Sequence, residues 1–177
     1  MLEAFAHCGY CGHKYDQADW PRVCQACRST QWRNPTPVSV LMVPVWDAQY
    51  SAQVTPGTRR GILVGKRGHE PGYGKWGLPG GFVELNEYFE RGAVREMFEE
   101  TGIEINPDFV KLWYSRNNSN GQQVLVFNEF KGTLPLQALD SFMPCAECPE
   151  VKVCWEPEEL AFATHTEALR LWFEKEV

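Results

Sequence analysis

The chain has 177 residues, 44% of them hydrophobic, and a formal net charge of -6. That length suits one main domain with a small appendage, and the apolar share is enough to bury a core. The acidic balance argues against tight nonspecific nucleic-acid binding, which runs on Lys and Arg, but leaves room for a small anionic substrate held through a metal.

The first sixteen residues carry neither a basic n-region nor an apolar run, so no signal peptide is expected. No stretch reaches membrane-spanning length. A cytoplasmic, reducing location is the expectation, and the seven cysteines are read as ligands or thiols before disulfides.

Cys8-x-x-Cys11 and Cys24-x-x-Cys27 are separated by twelve residues. This spacing predicts a zinc ribbon over residues 1–34, in which Cys8, Cys11, Cys24 and Cys27 hold a structural Zn2+ closed to water. So short a segment has little core, and the metal would supply its folding energy. Lys14, Arg22, Arg28 and Arg33 are partly offset by Asp16 and Asp19, so a packing or dimer-forming role suits the ribbon as well as nucleic-acid contact does. Asn34-Pro35-Thr36-Pro37 reads as a stiff linker into a second domain over residues 35–177.

Val38 to Trp46 is apolar and β-rich, a predicted strand with Pro44 marking an edge or bulge. A polar loop from Asp47 to Arg60 follows. Gly61 to Arg67 predicts a second strand ending on two cations, Lys66 and Arg67, for which phosphate contact and a solvated surface role are both open. A Gly-rich turn to Gly74 and the run Lys75 to Gly81 then lead into a short strand, Phe82 to Glu84.

A helix is expected from Asn86 as N-cap, with Glu87 in its first turn, to Gly102 as the residue that ends it. Ala93, Val94, Met97, Phe98 and Thr101 share an arc that should face a sheet. Glu96, Glu99 and Glu100 are neighbours on the opposite side, with Gly92 leaving that side open one turn earlier. Crowded carboxylates repel one another. The bland reading is a solvated acidic face; the sharper one is a site for hard divalent cations, which take oxygen ligands.

Phe109 to Tyr114, Gln123 to Lys131 and Val151 to Trp155 predict further strands, with an irregular stretch from Leu134 to Glu147. Pro157 should open a short helix ending at Leu160, and Thr166 should cap a last helix, Glu167 to Lys175. Cys145, Cys148 and Cys154 read as free thiols; a second zinc site would need another ligand such as His165. The mixed order of elements predicts an α/β sandwich without fixing its strand order. There is no GxxxxGK[ST] loop, so the chain does not look like a P-loop phosphotransferase.

The stretch from Gly81 to Ile103 resembles the box of the Nudix hydrolases at every fixed position: Gly81, Glu87, Arg95, Glu96, Met97, Glu99, Glu100, Gly102 and Ile103. The resemblance implies an α/β/α sandwich with a mixed sheet. It also implies Mg2+- or Mn2+-assisted hydrolysis of a nucleoside diphosphate linked to another moiety. Carried over by position, Glu96, Glu99 and Glu100 look like metal ligands and catalytic groups, and one of the last two would activate water. Gly80 would bring backbone to the metal. Gly81, Glu87, Arg95 and Gly102 would shape the box, with Arg95 held by Glu87 or Glu84. A ligand or base from a later loop is expected among Glu129, Glu147 and Glu150. Substrate contacts are sought at Arg67, Trp76, Tyr114 and Glu129, with Tyr73 and Phe82 as further rings.

The cysteine set, Gln31 to Pro35, Gly74 to Gly81 and Glu159 to Phe162 resemble the zinc-ribbon branch, which includes NADH, FAD and ADP-ribose pyrophosphatases. Trp113 to Asn118 lacks the proline-rich array of the NADH enzymes, while Gln122 to Phe127 resembles the FAD and ADP-ribose members. The expected substrate is therefore a dinucleotide or nucleotide-sugar diphosphate. Alternatives are removal of NAD-type caps from RNA and a nucleotide-binding regulator. By analogy with the branch a homodimer is expected; a membrane partner is not.

Overall fold

A computed structural model describes residues 5–16, 19–47 and 60–175. Most of the expected polar loop after Asp47 lies outside them. The chain divides into two compact units, Met1–Pro35 and Thr36–Val177.

In the first unit, β1 (Arg22–Val23) pairs antiparallel with β2 (Thr30–Gln31). Each cysteine pair sits on a tight turn: Gly12 N–H donates to Cys8 O at 2.8 Å and Arg28 N–H to Cys24 O at 2.9 Å. Cys8 and Cys24 are buried while Cys11 and Cys27 remain exposed.

The second unit holds two sheets. β3 (Thr36–Met42) and β4 (Pro44–Trp46) replace the single strand expected from Val38 to Trp46. The chain leaves one sheet after Met42 and enters the other at Pro44, where a missing backbone N–H is tolerated at the break. β3 joins β7 (Gly80–Phe82), β8 (Val110–Asn117) and β9 (Gln123–Phe130) in the order β7-β3-β9-β8. β4 joins β5 (Arg60–Lys66), β10 (Leu134–Pro135) and β11 (Val151–Cys154) in the order β10-β4-β5-β11, with β6 (Trp76–Gly77) also on β5. β3 and β9 run parallel, as do β4 and β10, and the other pairs are antiparallel. Both sheets of the second unit are therefore mixed.

Strand alternation sorts the core into two clusters. Val40, Met42, Ile62, Val64, Leu125 and Phe127 pack with Leu169 and Trp172 of helix α2 (Ala163–Lys175). Leu41, Val43, Val45 and Leu63 pack with Ala93 and Met97 of helix α1 (Phe89–Thr101). Strands between two helices make the α/β/α sandwich.

Several element boundaries differ from expectation. α1 starts at Phe89 with Tyr88 as N-cap, so Asn86 is not the cap and Glu87 lies before the first turn. Glu84 to Glu87 form a β-turn instead, closed by Glu87 N–H to Glu84 O at 3.2 Å, with Asn86 at φ 66°. Asn tolerates that left-handed geometry, which a capping residue would not adopt. Gly92 is buried rather than opening the acidic face, and a Cβ there would lie 2.9 Å from a Glu87 carboxylate oxygen. Phe98 is 45% exposed, so the apolar arc is narrower than its pattern. No helix forms from Glu156 to Leu160. Leu160 N–H donates to Thr166 Oγ1 at 2.9 Å and Ala161 N–H to Trp76 O at 2.7 Å, which draws the segment onto β6 and α2. Thr166 consequently lies inside α2, which begins at Ala163. The stretch expected to be irregular contains a 3-10 helix, Leu136–Ser141. No helix among the described residues is long and apolar enough to cross a membrane.

Candidate active site

α1 is set by buried polar contacts at its start. Ser39 Oγ on β3 donates to Phe89 O at 2.6 Å and accepts from Asn128 Nδ2 on β9 at 2.9 Å. At its far end Gly102 takes φ 71° and its N–H bonds Phe98 O. The helix axis is thereby fixed against β3 and β7, and the acidic face has one orientation.

Arg95 organises that face. Its Nε and Nη2 donate to Glu87 at 2.9 and 3.0 Å, its Nη1 to Glu96 at 2.8 Å and Glu99 at 2.9 Å, and Nη2 also to Phe82 O at 3.0 Å. All five guanidinium N–H groups are thus occupied. The Arg95 hydrogen bonds hold the Glu87 carboxyl below its ordinary range, against the cost of burial. Arg95 is held through Glu87 rather than Glu84, whose backbone N–H instead donates to Glu87 Oε2 at 3.0 Å.

The glycines before the helix permit close approach. A Cβ on Gly81 would fall 2.4 Å from the Glu96 carboxyl carbon, so that carboxylate lies directly against the backbone. Gly80 has φ 153°, and a Cβ there would meet Ser39 O at 2.3 Å.

Electrostatically the site is under strain. Burial pushes Glu100 up to about 8, helped by the charges of Glu96 and Glu147 and opposed by the Gly80 N–H and by Arg67. Glu96 is also raised, by burial and then by Glu99 and Glu147, against the pull of Arg95. Glu147 is therefore the later-loop carboxylate that bears on Glu96 and Glu100. Its loop is seated by Gly68 N–H to Glu147 O at 2.7 Å and by Cys145 Sγ against Glu100 O at 3.5 Å. Of the other candidates, Glu150 pairs with Lys66 at 2.5 Å. Glu129, 5% exposed, accepts from Trp172 Nε1 at 3.1 Å and pairs with Lys131 and Lys175. Those bonds outweigh its burial and hold its carboxyl low.

Lys66, Arg67, Tyr73, Gly74, Pro149 and Glu150 line a cleft of about 360 Å³. Arg67 is the shared element, since it faces the cleft and also acts on Glu100. Arg67 Nε donates to Pro71 O at 2.7 Å, and its guanidinium lies over the Phe162 ring at 4.8 Å. Trp76 lies beside this region, with Lys152 at 4.9 Å and Lys66 at 5.7 Å from its ring centre. Tyr114 belongs to other company: its ring packs 5.7 Å from Phe127 and its hydroxyl donates to Glu167 at 3.4 Å. Glu96, Glu99, Glu100, Gly80 and Gly81 thus lie at the box with Arg67 and Glu147 acting on Glu100, while Tyr114 and Glu129 have their polar partners on α2, at Arg116 of β8 and at Lys131.

One buried group was overlooked as part of this region. His165 Nδ1 accepts from Leu78 N–H at 3.1 Å. His165, Ala168, Leu169 and Trp172 are the buried stripe of α2, so helical spacing carried the signal. His165 does not join Cys145 and Cys148, and among the described residues no second cysteine-centred metal cluster forms.

In the first unit, Cys8, Cys11, Cys24 and Cys27 place their sulfurs within 4.8 Å of one another. The Cys8–Cys27 and Cys11–Cys24 sulfur distances are 3.7 and 3.6 Å. A tetrahedron with metal–sulfur bonds of about 2.3 Å has edges of about 3.8 Å. The set therefore fits a tetrahedral thiophilic ion. The Ser29 hydroxyl draws Cys8 down to about 5 and lowers Cys27 as well. The His13 N–H favours the Cys11 thiolate, but Cys27, burial and the other sulfurs outweigh it and push Cys11 up to about 12.

Known proteins place this arrangement. The match to NAD-capped RNA hydrolase NudC of Shigella flexneri is 29% identical over 101 residues, 56% of this chain and 34% of that protein. The same protein of Escherichia coli K12 matches over the same span at the same identity. The chain thus spans about a third of the length of the curated relatives it matches. Among solved structures, a NUDIX hydrolase from Nitrosomonas europaea superposes with a TM-score of 0.64 at 24% identity, covering 96% of this chain and 90% of that one. The NUDIX domain of Shewanella oneidensis NrtR complexed with ADP ribose gives 0.62 at 22% identity, covering 82% and 91%. Both likenesses are of fold. The NUDIX domain profile matches residues 36–175, nearly the whole second unit. With the box geometry, that span makes the chain a member of the Nudix family.

Proposed function

We propose that the protein hydrolyses the diphosphate linkage of a nucleoside diphosphate joined to another moiety, with Mg2+ or Mn2+ as cofactor. The observation that carries this reading is geometric: Glu96, Glu99 and Glu100 are carried by α1, the Glu96 carboxylate lies against the Gly81 backbone, and Arg95 beside them has every donor committed. Carboxylates in that condition favour a hard cation, and their oxygens are the donors such cations take. Glu96, Glu99, Glu100 and the Gly80 carbonyl are the groups that would hold it. A cation bound there would polarise phosphate oxygens and offset charge developing on the leaving group.

The chain's own residues supply the rest. Arg67 and Lys66 present positive charge in the cleft beside Glu100, where the diphosphate would lie. Tyr73 offers an exposed ring for a base or a second planar group, since lysines lie over the Trp76 ring. Glu147 would accept the proton of the attacking water. The ADP ribose held by the Shewanella domain supports an adenosine diphosphate moiety in the substrate. In the first unit, Cys8, Cys11, Cys24 and Cys27 hold a structural Zn2+. Seven unbridged cysteines accord with a reducing, cytoplasmic setting.

A second reading is removal of NAD-type caps from RNA, favoured by the name of the Shigella and Escherichia relatives. One experiment separates the two. The protein is incubated with Mg2+ and FAD, NADH, NAD, ADP-ribose, diadenosine polyphosphates or NAD-capped RNA, and the products are resolved by chromatography beside a Glu99→Gln, Glu100→Gln variant. Mononucleotide products from the wild type alone are expected. Turnover of capped RNA and of no free dinucleotide moves the assignment to the second reading. Turnover of none, with Mg2+ or Mn2+, refutes hydrolysis.

A further inference from the structure

His165 is the polar link from α2 to the loop that leads into the box. His165 is 5% exposed and the only described buried histidine. Its ring is held edge-on by Phe127 at 5.7 Å and Phe162 at 5.1 Å. Phe162 in turn lies under Arg67 at 4.8 Å. Nδ1 accepts the Leu78 N–H at 3.1 Å, across 87 residues of chain. Leu78 itself is buried, so its N–H would otherwise lose water without a replacement.

The segment so held is the approach to the box. Pro79 O accepts from Leu41 N–H at 2.9 Å, which ties the next residue to β3. Gly80 then turns its N–H toward Glu100, and Gly81 lies under the Glu96 carboxylate. The loop is anchored on α2 at Leu78 and on β3 at Pro79, and the glycines that meet both carboxylates follow directly, as the first residues of β7 on β3.

We infer that His165 is a positioning residue for the active site: through Nδ1 it fixes the Leu78 amide and so sets the Pro79–Gly81 backbone against Glu96 and Glu100. The inference rests on the hydrolytic reading for its kinetic consequence, but its structural half stands without it. Burial pushes the imidazole down to about 3, helped by the charge of Arg67, so the acceptor lone pair is present at working pH.

The atom required can be tested by moving it. Asn carries an acceptor oxygen at the position of Nδ1. Gln carries it one bond further out, and Phe has none while keeping the ring. Amide hydrogen exchange at Leu78 and the kinetics of the best diphosphate substrate are measured for wild type, His165→Asn, His165→Gln and His165→Phe. Expected is exchange at Leu78 faster by about tenfold or more in the Phe and Gln variants, as for loss of one buried hydrogen bond, and near wild type in the Asn variant. The same variants should lose kcat about tenfold or more with KM within about twofold, and Asn should restore it. Unchanged exchange at Leu78 in the Phe and Gln variants overturns the inference. So does an Asn variant as impaired as Gln, which marks a packing role only. Should the Phe variant fail to fold, the Asn–Gln comparison decides alone. If the wild type hydrolyses nothing, the functional reading falls, while exchange at Leu78 still decides whether His165 holds the loop.

Discussion

Replacing Arg95 by Met should cost far more stability than an exposed ion pair, and about two thirds of that loss should disappear when Glu87 has been replaced as well. The Arg95 and Glu87 side chains are 24% and 14% exposed and share two hydrogen bonds. At about 4 Å between charge centres and an effective dielectric of about 20, their attraction is about 4 kcal/mol. Desolvation of both groups offsets roughly half, leaving a coupling of about 2 kcal/mol. The single Arg95→Met change also strands Glu96 and Glu99, so its total cost should reach about 3 kcal/mol. The assay is urea unfolding of wild type, Arg95→Met, Glu87→Gln and the double variant, zinc-loaded and without Mg2+, read by tryptophan fluorescence. Single-variant losses that add within about 0.5 kcal/mol would show the pair to be uncoupled and refute the reasoning.

The two box glycines should fail differently. A Gly81→Ala methyl displaces only the flexible Glu96 carboxylate, so the fold should survive while kcat falls about 100-fold and the Mg2+ requirement rises. Gly80→Ala meets backbone at 2.3 Å and should lower the unfolding free energy by about 2–4 kcal/mol. Glu147→Gln should reduce kcat at least about tenfold without loss of stability, whereas Glu129→Gln should destabilise by about 2 kcal/mol and spare kcat; the reverse pattern exchanges their roles. Because Glu100 is raised from 4.5 to about 8, its favourable contribution to metal-free stability is complete below pH 4.5 and is lost as pH rises toward 8. Thermal unfolding across that window should show the decline in the wild type, a flatter curve in Glu100→Gln, and recovery with Mg2+ at pH 8.

Local chemistry was written in the sequence. Two cysteine pairs at ligand spacing need only short turns to converge. The helix carrying Glu96, Glu99 and Glu100 is set by period and by Gly102, so its acidic face could be read before any fold was known. Contacts between distant segments could not. That Val38 to Trp46 serves two sheets depends on which strands flank it. That Asn86 enters a turn follows from Glu87 reaching eight residues ahead to Arg95. That Lys131 and Lys175 claim Glu129 and Lys66 claims Glu150 required knowing where those lysines fall in the fold. His165 looked like a spare metal ligand until its ring was found against Leu78. Period and spacing fix what a residue can do within its own element. What a buried polar group does depends on the partner that compensates its lost water, and only the tertiary structure supplies that partner.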